Sequence, residues 1–325
     1  MLEFSLDFPR AYGDLTASGF FRSTPEDFQV DEDLGFEPSG SGEHIFLHVR
    51  KRGENTAWVA GKIADLAQVK INDVGYSGRK DRHAVTTQWF SVYLPKLPEG
   101  GVLDWAQLNS DTIAVLQVSR HQQKLRRGQH RANHFVIRLR ELQTNARAAL
   151  DEKIEQVFAV GVPNYFGEQR FGRQGNNLHE AQMLLVEGRR YKDKQKRGLI
   201  LSAARSYLFN QVLAARIKQS NWQLMLAGEP LGNPSGPLWG RGRSVASSDV
   251  LSIEQEALVP FADWANGLEH AGLLQERRPL CLMPEEAKFL WLDGDLQLSF
   301  SLGAGEFATA VLAELVELKV PESSL

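Results

Sequence analysis

GYSGRKDRHAVTTQWFSV, residues 75–92, predicts a short strand, a flexible Gly-Tyr-Ser-Gly turn and a second, alternating strand over residues 85–94. Asp81 therefore lies at the tip of a loop between two strands, flanked by positively charged residues that include Lys80. Nearby positive charge favours an ionised carboxylate, and it would also attract a phosphate backbone. An ionised carboxylate is the nucleophile for sugar carbon in retaining glycosidases. The alternative is that Asp81 only turns the loop and that its neighbours form a solvated surface.

The composition of the chain is that of a soluble protein with one large domain or two ordinary ones. Its 325 residues are 42% hydrophobic, which is enough for a sizeable core. The net charge of −3 gives no sign of a nucleic-acid partner, but an enzyme can confine its positive surface to one cleft. Cys281 is the single cysteine, so an intramolecular disulfide and a Cys-rich zinc site are excluded. Neither a signal peptide nor a membrane-spanning stretch is evident, so we expect a cytoplasmic protein with no membrane partner.

Basic residues are concentrated in the middle of the chain. Residues 120–140 contain seven Lys or Arg and no acid, and the second half of this stretch predicts an alternating strand. A basic loop beside a rigid sheet can present contacts to phosphate groups. We therefore take Arg126, Arg127 and Arg131 as candidates for RNA binding, with a solvated charged face as the alternative.

Residues 163–172, PNYFGEQRFG, combine aromatic side chains with glycines and an arginine. Beside a basic cleft such a segment could hold RNA, whereas a loop that joins domains would only pack its aromatic rings. We expect a mixture in which Phe166 and Phe171 are packed and Arg170 faces the cleft.

Helical patterns alternate with strand patterns along the chain. Thr56 is predicted to cap a helix that runs to about residue 69, and Ser202 is predicted to cap a second helix. Residues 228–243 are dense in Gly and Pro and predict a loop, and residues 250–284 predict helix. Pattern alone supports an α+β fold and nothing finer.

Several segments resemble the TruD family of tRNA pseudouridine synthases, in family order and over residues 20–316. The family places its nucleophilic Asp in a Gly-x-Lys-Asp-x-x-Ala setting, and the matching residues here are Gly78, Lys80, Asp81 and Ala84. The other matching segments are the Pro-Glu-Asp-Phe element that ends at Phe28, the Asn-x-Phe element Asn133 to Phe135, the signature at residues 163–172 and the Gly-x-Phe-Ala-Thr element with Phe307.

The resemblance assigns roles to individual residues. It implies that Asp81 is the nucleophile, and it makes Lys80 and Arg22 candidates to orient Asp81 electrostatically. Arg22 stands where the family has Lys, a change that keeps the charge and alters its geometry. The residues implied to hold the target base are Phe28, Asn133, Phe135 and Phe307. For Phe28 and Phe135 the alternative is an aromatic residue packed in the core of its strand. Stacking of a flipped-out base on an aromatic ring contributes roughly 1–3 kcal/mol.

The resemblance also implies the fold and the reaction. A catalytic pseudouridine synthase domain with a mixed, largely antiparallel sheet would comprise residues 1–158 and 286–325, and an inserted α/β TRUD domain would comprise residues 159–285. The implied reaction converts a tRNA uridine, at position 13 in bacterial members, to pseudouridine, either by attack of Asp81 at ribose C1′ or by another route. It requires no metal, nucleotide or redox cofactor. The implied partner is tRNA, and we expect a monomer without an obligatory protein partner.

Two other classes of function remain open from the sequence. A non-catalytic RNA-binding or RNA-folding protein would need the basic stretches but not Asp81. A carboxylate-dependent hydrolase acting on nucleosides would need a second carboxylate beside Asp81, which folding could supply from Glu26 or Glu306.

Overall fold

The computed structural model describes residues 4–95, 103–230, 232–319 and 321. Its β-strands are β1 Ala17–Phe21, β2 Phe28–Asp33, β3 His44–Arg52, β4 Val74–Tyr76, β5 Val85–Tyr93, β6 Ile113–His121, β7 Ala132–Thr144, β8 Val162–Pro163, β9 Ser235–Leu238, β10 Glu276–Pro279, β11 Cys281–Leu282, β12 Glu285–Leu292, β13 Asp295–Gly303 and β14 Glu317–Lys319. Its α-helices are α1 Thr56–Ala67, α2 Arg147–Val160, α3 Asn176–Leu185, α4 Lys194–Lys218, α5 Ser248–Leu258, α6 Ala262–His270 and α7 Ala308–Leu315.

These elements form two compact units. The first, which we call the sheet unit, comprises Leu15–Phe158, Pro284–Ala308 and Leu315–Leu325. The second, which we call the helical unit, comprises Met1–Asp14, Ala159–Met283 and Thr309–Glu314.

A single mixed sheet forms the centre of the sheet unit. Its strands follow the order β12, β13, β7, β2, β5, β3, β6; off this path β1 pairs with β7, β14 pairs with β1, and β4 pairs with β5. Most neighbours are antiparallel, and the parallel pairs are β2 with β5 and β1 with β14. Strand β13 pairs with β7 in the register Leu298↔Ile137, so segments from both ends of the chain build the same sheet. The α+β class predicted from the sequence is confirmed.

Alternation along β3 determines how the sheet is covered. Ile45, Leu47 and Val49 point to one face, where they pack with Val59 and Ile63 of α1. Burying one aliphatic side chain of this size contributes about 1.5–3 kcal/mol relative to leaving it exposed. Helix α1 is therefore fixed on the sheet, and it delivers the chain to β4 and to the loop that carries Asp81.

The helical unit is organised around α4, whose central residues are almost all buried. Helices α3, α5 and α6 pack around it, and the short strands β9 and β10 pair with each other. Phe166 and Phe171 belong to this core, where Phe166 lies 5.5 Å from Phe209 and Phe171 lies 5.9 Å from Tyr207 between ring centroids. The expected packing of Phe166 and Phe171 is thus what the structure has.

Three details differ from the sequence prediction. Asn55, not Thr56, occupies the N-cap position of α1, because the hydroxyl of Thr56 is used elsewhere. Helix α4 begins well before Ser202, because Asp193 accepts hydrogen bonds from the first free N–H groups and the basic residues that follow are good helix formers. Strands β9, β10 and β11 lie in the segments predicted as loop and helix, since short strands give little periodic signal. None of the described helices is long and apolar enough to cross a membrane.

Candidate active site

The loop with Asp81 connects two paired strands of the sheet unit. Strand β4 pairs with β5 in the antiparallel register Tyr76↔Phe90, so the intervening residues form a hairpin loop, as predicted. The side chain of Asp81 is 43% exposed at the tip of this loop. In that position the carboxylate of Asp81 is accessible to a large substrate, while buried side chains can still bond the main chain of the loop.

Arg22 is the ion-pair partner of Asp81. Its Nη2 lies 3.1 Å from Oδ2 of Asp81, and its guanidinium lies 4.6 Å from the ring centroid of Phe21 and 4.3 Å from that of Phe28. Burial lowers the pKa of Arg22, and Asp81 partly opposes that shift. Arg22 also has φ of 61°, in the left-handed region that side chains other than glycine rarely adopt. The backbone thus adopts an unfavourable conformation at the residue that contacts the carboxylate.

Lys80 points into the protein rather than toward a substrate. Its Nζ lies 2.7 Å from Oε2 of Glu32 and donates a hydrogen bond of 2.6 Å to Oδ1 of Asn133. The side chain of Glu32 is fully buried, and its other oxygen accepts the N–H of Trp89 at 3.0 Å. Because a buried carboxylate is costly without a partner, Lys80 and Glu32 depend on each other. Lys80, the cation of this buried pair, directly precedes Asp81 in the sequence.

Lys51 is a second buried cation, and it was not among the site residues predicted from the sequence. It has no exposed surface, and its Nζ donates hydrogen bonds to the main-chain oxygens of Glu54 at 2.7 Å and Asp81 at 3.0 Å. Burial lowers its pKa to about 8, with the charge of Asp81 acting in the opposite direction. A signal was present, because Lys51 follows Val49 in the core-facing register of β3, where a charge is unexpected. The hydrogen bond from Lys51 thus fixes the main chain of Asp81, the candidate nucleophile.

Thr56 and Gln88 hold the preceding part of the loop. The hydroxyl of Thr56 accepts the N–H of Lys80 at 3.0 Å and donates to Oε1 of Gln88 at 2.9 Å. Nε2 of Gln88 in turn donates to the carbonyl oxygen of Gly78 at 3.2 Å. Together with the hydrogen bond from Lys51, side chains therefore bond the loop backbone at Gly78, Lys80 and Asp81. The geometry explains why the hydroxyl of Thr56 does not cap α1.

Asn133 connects Lys80 to two further polar residues. Nδ2 of Asn133 lies 3.0 Å from Nε2 of His130, and Nδ1 of His130 lies 2.5 Å from Oγ of Ser77. All three side chains are buried. Asn133 belongs to a motif that is visible in the sequence, whereas His130 and Ser77 are 53 residues apart and meet only in the fold.

The predicted base-binding aromatic residues differ in accessibility. Phe28 and Phe135 are buried with their ring centroids 6.0 Å apart, and Phe135 also packs on Phe300. Phe307 follows β13 and is 41% exposed, so its ring is available to a ligand. The sheet unit thus contains Phe28, Phe135 and Phe307 together with Asp81.

The predicted RNA-binding arginines lie in both units. Arg126 and Arg127 are exposed in the loop before β7, and Arg131 in the same loop forms an ion pair with Asp33. Arg170 belongs to the helical unit, where its Nη1 donates to Oγ of Ser202 at 3.2 Å. Its guanidinium lies 5.2 Å from the ring of Phe166, and burial lowers its pKa.

The carboxylates considered for a hydrolase have other contacts. Glu26 forms an ion pair of 2.5 Å with Arg52, and Glu306 accepts the N–H of Gly303 at 2.8 Å. Within residues 4–95, 103–230, 232–319 and 321, no cluster of three or more His, Cys, Asp or Glu side chains could hold a metal ion. The chemistry available at the loop tip is that of one carboxylate paired with one guanidinium.

Comparison with known proteins points to one family. A sequence model described as tRNA pseudouridine synthase D (TruD) matches residues 12–193. The chain is 59% identical to tRNA pseudouridine synthase D of Cellvibrio japonicus, over 97% of this chain and 94% of that protein. It is 48% identical to the protein of the same name from Methylococcus capsulatus, over 96% of this chain and 94% of that protein.

A solved structure agrees with the fold. The crystal structure of a Methanosarcina mazei protein, provisionally assigned as tRNA pseudouridine synthase D, matches with a TM-score of 0.70 and 19% identity, covering 94% of this chain and 95% of that one. At that identity the match supports the fold alone. The sequence relationships extend over nearly the whole length of the chain. The chain therefore belongs to the TruD family of tRNA pseudouridine synthases.

Proposed function

We propose that this protein isomerises a uridine of tRNA, at position 13, to pseudouridine, with Asp81 as the nucleophile. The observation that carries the proposal is the ion pair of 3.1 Å between Arg22 and Asp81 at an accessible loop tip. A carboxylate can act as a nucleophile, and a guanidinium at that distance orients its oxygen through an ion pair. The buried ammonium of Lys51 adds positive charge beneath the same residue.

The reaction exchanges one bond for another at the ribose. The C1′–N1 bond of the uridine breaks with assistance from Asp81, and the detached uracil turns within the site. A C1′–C5 bond then forms, the proton at C5 leaves, and N1 carries a proton in the product. No oxidant, reductant or metal enters this balance. The site must hold the free base in place between cleavage and rejoining.

Residues around Asp81 fit that requirement. The exposed ring of Phe307 is suited to stack on the flipped-out base. Asn133 has an amide group, fixed by Lys80, that can bond a uracil carbonyl or N–H. Phe28 packs near Phe135 and contacts the guanidinium of Arg22, so this apolar pair adjoins the ion pair with Asp81.

Binding of tRNA requires phosphate contacts, for which the exposed loop before β7 is suited. Arg126 and Arg127 are exposed there and Arg131 lies at its end, so the loop can displace counterions from RNA. Arg170 is proposed as a further contact from the helical unit. In this proposal residues 1–158 and 286–325 form the pseudouridine synthase domain and residues 159–285 form the inserted TRUD domain. The protein acts as a cytoplasmic monomer without an obligatory protein partner.

Release of tritium from tRNA labelled at uridine C5 tests the proposal directly. We expect release by the unaltered protein and none by Asp81→Asn, with Asp65→Asn as a control at an exposed carboxylate of α1. Release by both the protein and Asp81→Asn would overturn the role of Asp81. No release by either, with tRNA binding retained, would establish a non-catalytic RNA-binding protein. A tRNA with cytidine at position 13 should release no tritium from the labelled uridines that remain.

A further inference from the structure

A continuous chain of buried polar contacts runs beneath the loop of the sheet unit. It begins at Glu32, passes through Lys80 and Asn133, and ends at His130 and Ser77. The successive distances are 2.7, 2.6, 3.0 and 2.5 Å. Buried polar groups at such distances hold one another in a unique arrangement when every donor meets an acceptor.

The donor and the acceptor of each hydrogen bond in this series can be assigned by starting from Lys80. The ammonium of Lys80 can only donate, so the Asn133 atom facing it is the acceptor Oδ1 and the opposite atom is the donor Nδ2. Nε2 of His130 must therefore accept, which leaves the ring proton on Nδ1. That N–H donates to Oγ of Ser77, which also accepts the main-chain N–H of His130 at 2.8 Å. The result is a neutral imidazole with a single tautomer.

We propose that His130, held by Ser77 as the neutral Nδ1–H tautomer, is a positioning residue that fixes the amide of Asn133 and the ammonium of Lys80 next to the nucleophile. The inference rests on the proposed isomerase function. A protonated ring would present an N–H to Nδ2 of Asn133, and rotation of the amide would then present Nδ2 to the ammonium of Lys80. Neither orientation of the Asn133 amide satisfies both Lys80 and His130. Protonation of His130 therefore breaks the series of buried hydrogen bonds.

The surroundings of His130 favour its neutral form. Burial is the main cause of its lowered pKa, and the charge of Lys80 lowers it further, whereas Glu32 and Asp33 act in the opposite direction. Its remaining contacts, Ser77 and Asn133, are uncharged. Activity should therefore decline with acidification only below the ordinary histidine value of about 6.5.

Histidine ring ¹⁵N–¹H correlation spectra of the full-length protein test the tautomer without any substrate. The His130 signals are identified by their loss in His130→Gln. We expect a protonated Nδ1 and an unprotonated Nε2 near neutral pH. The opposite tautomer, or an imidazolium ring at that pH, would overturn the assignment. This test remains valid even if the protein releases no tritium from tRNA, so the two proposals can fail separately.

Single-turnover tritium release tests the positioning role. His130→Phe keeps a ring without nitrogen atoms and should lower the rate about 10- to 100-fold with little change in the Kd for tRNA. His130→Gln keeps an acceptor near Nε2 that cannot be protonated, so it should recover most of the rate and lose the acid limb of the pH profile. His134→Phe is the matched control, since His134 bonds Ser301 on the adjacent strand β13. An unaltered rate in His130→Phe, or an unaltered acid limb in His130→Gln, would overturn the proposal.

Discussion

The ammonium of Lys51, which has no exposed surface, donates a hydrogen bond of 3.0 Å to the main-chain oxygen of Asp81, whose own side chain is 43% exposed. The contact joins a core-facing strand position to the tip of the candidate catalytic loop. It fixes the backbone of Asp81 and leaves its carboxylate free to pair with Arg22.

Replacing Lys51 by Met should impair catalysis more than binding. The change keeps most of the side-chain volume but leaves the carbonyl oxygens of Glu54 and Asp81 without their donor, at a cost of about 1–3 kcal/mol for each buried group left unsatisfied. We expect the single-turnover rate to fall about 10- to 100-fold because the nucleophile is no longer held. Lys62→Met, at an exposed lysine of α1, is the control. A Kd for tRNA that rises as much as the rate falls would contradict a role in positioning.

Activity should decline as the pH rises through about 8, the lowered pKa of Lys51. Above that value the ammonium loses its proton, so its charge and its full donor capacity beneath Asp81 are lost. The rate-against-pH profile of Lys51→Met should lack this limb, whereas ionisation of the substrate would affect both proteins equally.

The same group affects stability in the opposite direction. The folded-state pKa lies below the unfolded value of 10.5, so between about 8 and 10.5 the unfolded chain binds more protons at this site. The contribution of Lys51 to the free energy of unfolding therefore rises with pH across that window. Thermal unfolding should show the protein gaining stability relative to Lys51→Met over this range. A constant difference between the two would contradict the assigned pKa.

Two substitutions of Arg22 should distinguish the effect of its positive charge on catalysis from that of its planar guanidinium group. Arg22→Lys keeps the positive charge and meets the family expectation, but it loses the planar contact with Phe28. We expect a rate within about tenfold of the unaltered protein, whereas Arg22→Met should lose about 100-fold or more because the ion-pair partner of Asp81 is gone. Tritium release under single-turnover conditions provides the comparison. Equal rates in both variants would show that the ion pair with Asp81 has no catalytic role.

The exposed loop before β7 should contribute to tRNA affinity in a salt-dependent way. Alanine at Arg126 and at Arg127 should weaken binding and reduce the slope of log K against log salt by about 1 for each lost phosphate contact. Lys62→Ala, an exposed cation on α1, serves as the control. Filter binding across a salt series would measure both quantities. Weaker binding with an unchanged slope would mean that these arginines contact something other than phosphate.

The sequence predicted the local features of the site and missed those that depend on distant segments. The strand predicted over residues 85–94 agrees with β5, Val85–Tyr93, because a turn and an alternating pattern define it. The cap at Thr56 was wrong because the N–H of Lys80, far along the chain, uses its hydroxyl. Ser77 and His130 carry no local signal at all, since their roles arise only where two loops meet. The buried position of Lys51 could have been inferred, because its strand register is apolar.

Replacing Lys80 alone should lower the free energy of unfolding more than replacing Lys80 and Glu32 together. Lys80→Met leaves the buried carboxylate of Glu32 without its cation, and breaking such a pair typically costs about 3–5 kcal/mol. Adding Glu32→Gln removes the uncompensated charge, so the double variant should regain much of that stability as measured by denaturant unfolding. It should not regain the rate of tritium release, because the donor to Asn133 is still absent. A double variant no more stable than Lys80→Met would show that Lys80 stabilises the fold by packing rather than by charge.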